Sequence, residues 1–395
     1  MAENDETLNL LLEDAARGDV DAQYELAQTY AAGDGEKDRA EAIKWYRQAA
    51  HKGHADAQCE LGRIYAQGDG TEKDPSKAIG FYRQAAEQDH PEAQNALGEH
   101  YLLETNLPEA VAWFTKAANQ GHPNALRRLG YFYLEGKAGL AQDEEKAFIC
   151  FRNAAEQGDP VAQFETGKCF AEGRGVDKDP EEAVNWYFPA AKRKFPQAML
   201  ALSEAYETGC GIEQNLAAAA MLIRDTNPAK ALEFFRTAAE AGSAQAQNAL
   251  GEEYRDGKNV KQDLTAAVEW FFKAAGQGHP GAQCQLGYAY LEGKGGMEQN
   301  PAEAFNWFMQ AAEQENALAQ FEVGKAYSQG NGVYQDLARA VPWFRKAAEA
   351  GVPMAMHALG EAYQNGLGVD ADPVEAAIWL SQAPGATPEE EPEEK

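Results

Sequence analysis

Residues 57–90 read AQCELGRIYAQGDGTEKDPSKAIGFYRQAAEQDH, and nearly the whole of the 395-residue chain is this stretch written again with substitutions. Aligning the copies on the residue after the opening alanine puts Gln23, Gln58, Gln94, Leu126, Gln163, Met199, Gln247, Gln283, Gln320 and Met356 in one phase, at steps of 32 to 48 residues. On this reading ten copies fill the chain. Self-similarity at such a period is the signature of a solenoid, in which each unit buries its apolar face only against its neighbours.

Each copy reads as a helix pair. Ala57, Leu61 and Tyr65 share one face of a first helix, helix A, and Gly62 beside them leaves room for another backbone. Gly68 and Gly70 end that helix, because glycine accepts the left-handed conformation of a helix C-terminus. Asp74-Pro75 then starts helix B with a capping carboxylate and a proline at the first helical position; Asp179-Pro180, Asn300-Pro301 and Asp372-Pro373 repeat the signal. Helix B carries Ala78, Phe81, Tyr82, Ala85 and Ala86, and all seven tryptophans fall at the phase of Phe81. Such periodic rings predict core packing rather than a ligand cage. Pro189 and Pro342 fall inside helix B of two copies, where a kink is expected.

The recurring Ala-Gln, Leu-Gly, Tyr, Gly-x-Gly, Asp-Pro, Lys-Ala, Trp-Tyr or Trp-Phe, Ala-Ala and Gly-His resemble the Sel-one-like repeat, a cousin of the tetratricopeptide repeat, from Asp21 to about Ala383. The resemblance implies an all-α fold, a right-handed α-α superhelix of antiparallel helix pairs with helix A lining a concave face. It also implies an adaptor that binds a protein or peptide partner. Envelope assembly or host contact, and β-lactam binding in a cysteine-rich branch, are the alternatives the family offers.

The organisation expected is a capping helix over 1–20, repeats over 21–212, an insert at 213–226, repeats again over 227–383, and a disordered acidic tail at 384–395. Leu8, Leu11, Leu12 and Ala15 copy the end of a helix B and so cover the first apolar face. The insert is centred on the apolar, helix-prone NLAAAAMLIRDT from Asn215 to Thr226, followed by a second cap signal at Asn227-Pro228. It suits a packed helix, a hinge or a docking site. A block of four copies is duplicated: LGYFYLEGK matches LGYAYLEGK and AQFETGK matches AQFEVGK, each 157 residues apart. Two similar binding faces about four repeats apart are therefore expected.

A net charge of −28 argues against nucleic acid as a partner, since phosphate binding needs a basic footprint. No run of apolar residues is long enough for a membrane span. The acidic start MAENDETLNLLLEDAARGD is unlike a secretory leader, and five cysteines without regular pairing suit a reduced compartment. A cytoplasmic location is expected, or a periplasmic or secreted one if a leader has been removed. Oligomeric state is not legible.

No enzyme is expected. None of the five serines has the lysine of a Ser-x-x-Lys motif, no phosphate-binding glycine loop occurs, and His51 with His54 is too little for a metal site. His54, His90, His122 and His279 share one repeat phase and read as turn residues, so neither cofactor nor metal is expected. The binding candidates are the helix A residues turned away from the core. Copies three and seven are polar there, with Asn95, Glu99, Asn248 and Glu252. Copies four and five offer Arg127, Tyr131, Leu134, Phe164 and Lys168, and copies eight and nine offer Tyr288, Leu291, Phe321 and Lys325. Aromatic and aliphatic side chains beside a cation suit an extended peptide or a partner helix. Tandem duplication would equally preserve Phe164 and Phe321 as packing between repeats.

Overall fold

The computed structural model describes residues 2–33 and 35–383, and among them there are helices and no strands. The expected tail at 384–395 lies outside the described residues. The chain divides into two compact units, Met1–Ala205 with Cys210–Ile212, and Tyr206–Gly209 with Glu213–Lys395.

The first unit opens with α1 (Ala2–Arg17), whose Leu11 and Leu12 pack around Ala15, Ala22 and Leu26. Helix pairs follow in order: α2 (Val20–Ala31) with α3 (Glu36–His51), then α4 (Ala55–Gln67) with α5 (Pro75–Ala86). Next come α6 (Pro91–Leu103) with α7 (Leu107–Asn119), and α8 (Pro123–Glu135) with α9 (Glu144–Glu156). The series continues with α10 (Pro160–Glu172) and α11 (Pro180–Lys192), then α12 (Pro196–Thr208), whose last residues belong to the second unit. In that unit lie α13 (Leu216–Ile223) and α14 (Pro228–Glu240), then α15 (Ala244–Asp256) with α16 (Leu264–Gly276). The pairs α17 (Pro280–Glu292) with α18 (Pro301–Glu313), α19 (Ala317–Gln329) with α20 (Leu337–Glu349), and α21 (Pro353–Asn365) with α22 (Pro373–Ser381) complete it. Pro189 and Pro342 sit inside α11 and α20, each of which is a single helix running past its proline.

In most pairs, helix A meets helix B through a glycine, and the partner is a ring rather than a backbone; Gly360 meets Leu380 instead. A Cβ at Gly324 would stand 2.6 Å from the Phe344 ring, far inside contact distance, and the same holds for Gly62 against Tyr82. The ring concerned follows the tryptophan phase by one residue. Phe114, Phe151 and Phe235 are fully buried there, whereas the tryptophans are only half-buried and pack on the edges of the clusters. Burying one large ring per copy supplies much of the apolar driving force.

Between pairs, the joint is polar. Gln58 Nε2 donates to the Ala50 carbonyl at 3.1 Å, eight residues back in the last turn of the preceding helix, and Gln94 does the same to Ala86 at 3.2 Å and Gln247 to Ala239 at 3.0 Å. Carbonyls at a helix end have no partner within the helix, so this buried amide supplies one. In some copies its own oxygen is answered by a second glutamine, as Gln88 donates to Gln58 at 2.7 Å and Gln277 to Gln247 at 2.8 Å, whereas the oxygens of Gln23 and Gln163 are buried without a partner among the described residues.

The insert is a packed helix. The Asn215 amide bonds the Tyr206 carbonyl at 2.9 Å, as Asp74 bonds Tyr65 and Asp336 bonds Tyr327, so α13 begins as a helix B would. It stops after eight residues, and Asn227-Pro228 starts α14. Ala217, Ala219, Ala220 and Ile223 are buried in one cluster with Phe234 and Phe235. Just beyond, Arg224 Nε reaches Glu253 Oε1 of α15 at 2.6 Å, and Asn259 donates to the other oxygen at 2.8 Å. Glu253 is only 1% exposed, at a position where other copies carry Ile64, Phe132 or Ala289.

Candidate protein-interaction site

Most A helices are fixed at their start by a side-chain cap, whereas α21 begins at Val352 without one. Asp159 and Asn316 accept the amide three residues on at 2.7 and 2.9 Å, and His54, His90, His122 and His279 do so through Nδ1 at 3.3 to 3.4 Å. The histidines of the sequence pattern are therefore helix caps. With Nδ1 accepting, the neutral ring carries its proton on Nε2, which faces Asp56 at 3.2 Å in His90 and Glu92 at 2.8 Å in His122. That bond to His122 holds the Glu92 carboxyl below its ordinary range against the opposing effect of burial. In the first unit α4 touches α6, and α6 touches α8, so side chains on consecutive A helices reach one another.

In the first unit the predicted residues share one neighbourhood. Tyr131 is half-buried, edge-on to Phe151 with centroids 5.1 Å apart, and its hydroxyl donates to Glu165 Oε1 of α10 at 3.0 Å. Burial, with Glu165 adding to it, pushes the Tyr131 hydroxyl well above the usual phenol range. Arg127 is held by Asn124 Oδ1 at 2.7 Å and lies 3.6 Å from Asp159 Oδ2. Leu134 packs on the cluster of Phe148 and Phe151, while Lys168 stays half-exposed. Phe164 leans on Tyr187 and Phe195, with centroids 5.8 and 5.7 Å away.

The second unit repeats the arrangement. Tyr288 is edge-on to Phe308 at 5.0 Å and donates to Glu322 Oε1 of α19 at 3.2 Å; burial and Glu322 together raise its hydroxyl far above the usual range. Leu291 and the exposed Lys325 line a cleft of about 260 Å³ between α17, α18 and α19, with Pro301, Phe305, Phe308 and Glu322. A smaller cleft of about 70 Å³ lies one copy earlier, with Tyr288 and Glu292 in its wall. Burial raises the Glu322 carboxyl above its ordinary range, with Lys325 opposing. Phe321 is only 8% exposed and tilts toward Phe344 at 5.9 Å, so its ring packs into the core between α19 and α20. Of the polar pair in copy three, Asn95 is buried, and Glu99 is already taken by Arg128 in a two-pronged bond at 2.7 and 2.9 Å. In copy seven Asn248 is buried and donates to Glu252 at 3.0 Å.

Glu165 and Glu322, the partners of the two tyrosines, were not among the residues the sequence singled out. Both stand inside the duplicated AQFETGK and AQFEVGK, two residues after the buried glutamine, and that coincidence was the available signal.

The model of the Sel1 repeat matches eleven segments running from 20–54 to 353–383 and covers almost the whole chain. The chain belongs to the Sel1 repeat family. Two of the Sel1 segments, 196–224 and 222–243, divide the region where ten copies were counted with an insert, because α13 is a shortened helix B and α14 a second one. Among solved Sel1 structures, a protective antigen of uropathogenic Escherichia coli strains with an SLR fold is 32% identical, over 95% of this chain and 86% of that one, with a TM-score of 0.52. A Sel1 repeat protein from Oxalobacter formigenes is also 32% identical, covering 89% and 90% of the two chains, with a TM-score of 0.33. Chitin synthase regulatory factor 3 of Schizosaccharomyces pombe is 40% identical over 72 residues, which are 18% of this chain and 8% of that protein. Sel1 repeats generally mediate contacts between proteins, and such scaffolds are typically non-catalytic.

Proposed function

We propose that this chain is a non-catalytic adaptor that binds a protein or peptide with side chains on its A helices. The observation that carries the reading is the cleft between α17, α18 and α19, where an apolar wall of Leu291, Phe305 and Phe308 meets the polar Glu322 and Lys325 on a face that packing leaves open. Clefts that combine apolar walls with a few convergent polar groups are where ligands and partner side chains are held. Tyr131, Leu134 and Lys168 supply the corresponding surface in the first unit, and Arg127, fixed by Asn124, flanks it. An extended peptide or a partner helix fits such a face. The test places a photo-crosslinking amino acid at Lys168, at Lys325, or at Glu269, an exposed position on helix B. Crosslinking in the native cell from the first two positions, with little from Glu269, is the expected outcome. Crosslinking from Glu269 alone would move the binding surface to the B helices.

A further inference from the structure

In the second unit's larger cleft, packing leaves one carboxylate half answered. Glu322 is 8% exposed; its Oε1 takes the Tyr288 hydroxyl, and its other oxygen receives no hydrogen bond among the described residues. Lys325, one turn further along α19, is exposed and forms no ion pair among them. Burying a carboxylate without full compensation is costly, so the fold carries a charge that a bound group would satisfy. Leu291, Pro301, Phe305 and Phe308 give the cleft an apolar side, Gln299, Gln329 and Asn331 add neutral polar groups, and about 260 Å³ suits one long side chain. Lysine and arginine have that shape, an aliphatic stem with a cation at its tip. A net charge of −28 also draws basic partners toward the chain.

We propose that this cleft is a socket for a lysine or arginine side chain of the partner, with the stem against Leu291 and Phe305 and the cation on the open oxygen of Glu322. The inference rests on the adaptor reading and specifies its chemistry. The Tyr288 hydroxyl holds the carboxylate in place from the other side. The same device is present in the first unit, where Tyr131 donates to Glu165 at 3.0 Å, so the tyrosine–glutamate pair is present in both duplicated blocks. Lys325 at the rim gives the proposal a sign, since a cation there opposes a cationic guest and would favour an anionic one.

The experiment titrates the full chain with acetyl-Ala-Arg-Ala-amide and with the same peptide carrying citrulline, a neutral isostere of arginine, followed by NMR. The arginine peptide should bind about tenfold more tightly than the citrulline peptide, as a charge-assisted contact in a partly buried site implies. Glu322→Gln should erase that preference while a thermal melt shows the fold retained, and Lys325→Gln should strengthen arginine binding. Equal affinity for both peptides, a preference untouched by Glu322→Gln, or weaker binding in Lys325→Gln would overturn the socket. If the Lys325 crosslinker captures a partner while the peptides fail, the adaptor reading stands and the socket alone falls. If the arginine preference holds but crosslinking occurs only at Glu269, the failure lies with the adaptor face.

Discussion

Glu322 destabilises the fold that holds it. Its carboxyl, raised above the ordinary value of 4.5 by burial, keeps its proton to higher pH in the folded chain than in the unfolded one. The penalty is therefore absent below pH 4.5 and sets in as the pH rises through the folded value. Glu322→Gln should raise the melting temperature at pH 7, and the gain should vanish below about pH 4. His279 behaves in the opposite sense. Burial lowers its pKa from 6.5, with Glu252 opposing, and its Nδ1 must stay unprotonated to cap Ala282. Its contribution is complete above pH 6.5 and lost as the pH falls through the folded value. His279→Ala should cost about 1 kcal/mol at pH 7, whereas His279→Asn, the residue type at Asn316, should keep the cap and flatten the dependence between pH 7 and 5 in urea midpoints. Tyr288 was legible in the sequence because it recurs as a ring on a helix face. Glu322 was not, because its significance depends on a neighbour in the preceding copy.

At the scale of the element, α13 shows how a departure from the period is absorbed. Its alanines bury in the same cluster as Phe234 and Phe235, and the Arg224–Glu253 pair ties its end to α15. Removing one partner of a buried pair leaves a charge without compensation, which costs more than removing both. Arg224→Ala should lose about 2–3 kcal/mol in chemical denaturation, moderated by the remaining Asn259 bond. Adding Glu253→Ala, which installs the side chain other copies carry there, should recover most of the loss. The helix pairs themselves were readable from caps, glycines and ring spacing, since those signals act within a few residues. The role of Gly62 was misread as a meeting of backbones. The Tyr82 ring that fills the gap comes from the partner helix, which periodicity on helix A does not reveal. Phe164 and Phe321 were ambiguous for a related reason, because duplication preserves a packing residue as faithfully as a binding one.

Across the whole molecule, the all-α repeat architecture was legible because each copy restates the same local rules, so errors in one copy are corrected by the others. The exact count was less legible, because a shortened helix between α12 and α14 can be read as an insert or as part of a further repeat. The buried glutamine at most joints has a consequence for how such a chain can change its length. In deleting residues 55–90, Pro91 would follow His54, and Gln94 would lie eight residues beyond Ala50, where Gln58 had been. His54 would meet the amide of Ala93 in place of Ala57. The expected outcome is a folded protein of unchanged helicity per residue by circular dichroism, with a mass smaller by one copy, whereas a deletion displaced by half a copy should unfold locally. In-frame recombination between copies that carry this glutamine and this cap therefore leaves the junction chemically the same, and the number of copies becomes a heritable quantity that selection can adjust in whole steps.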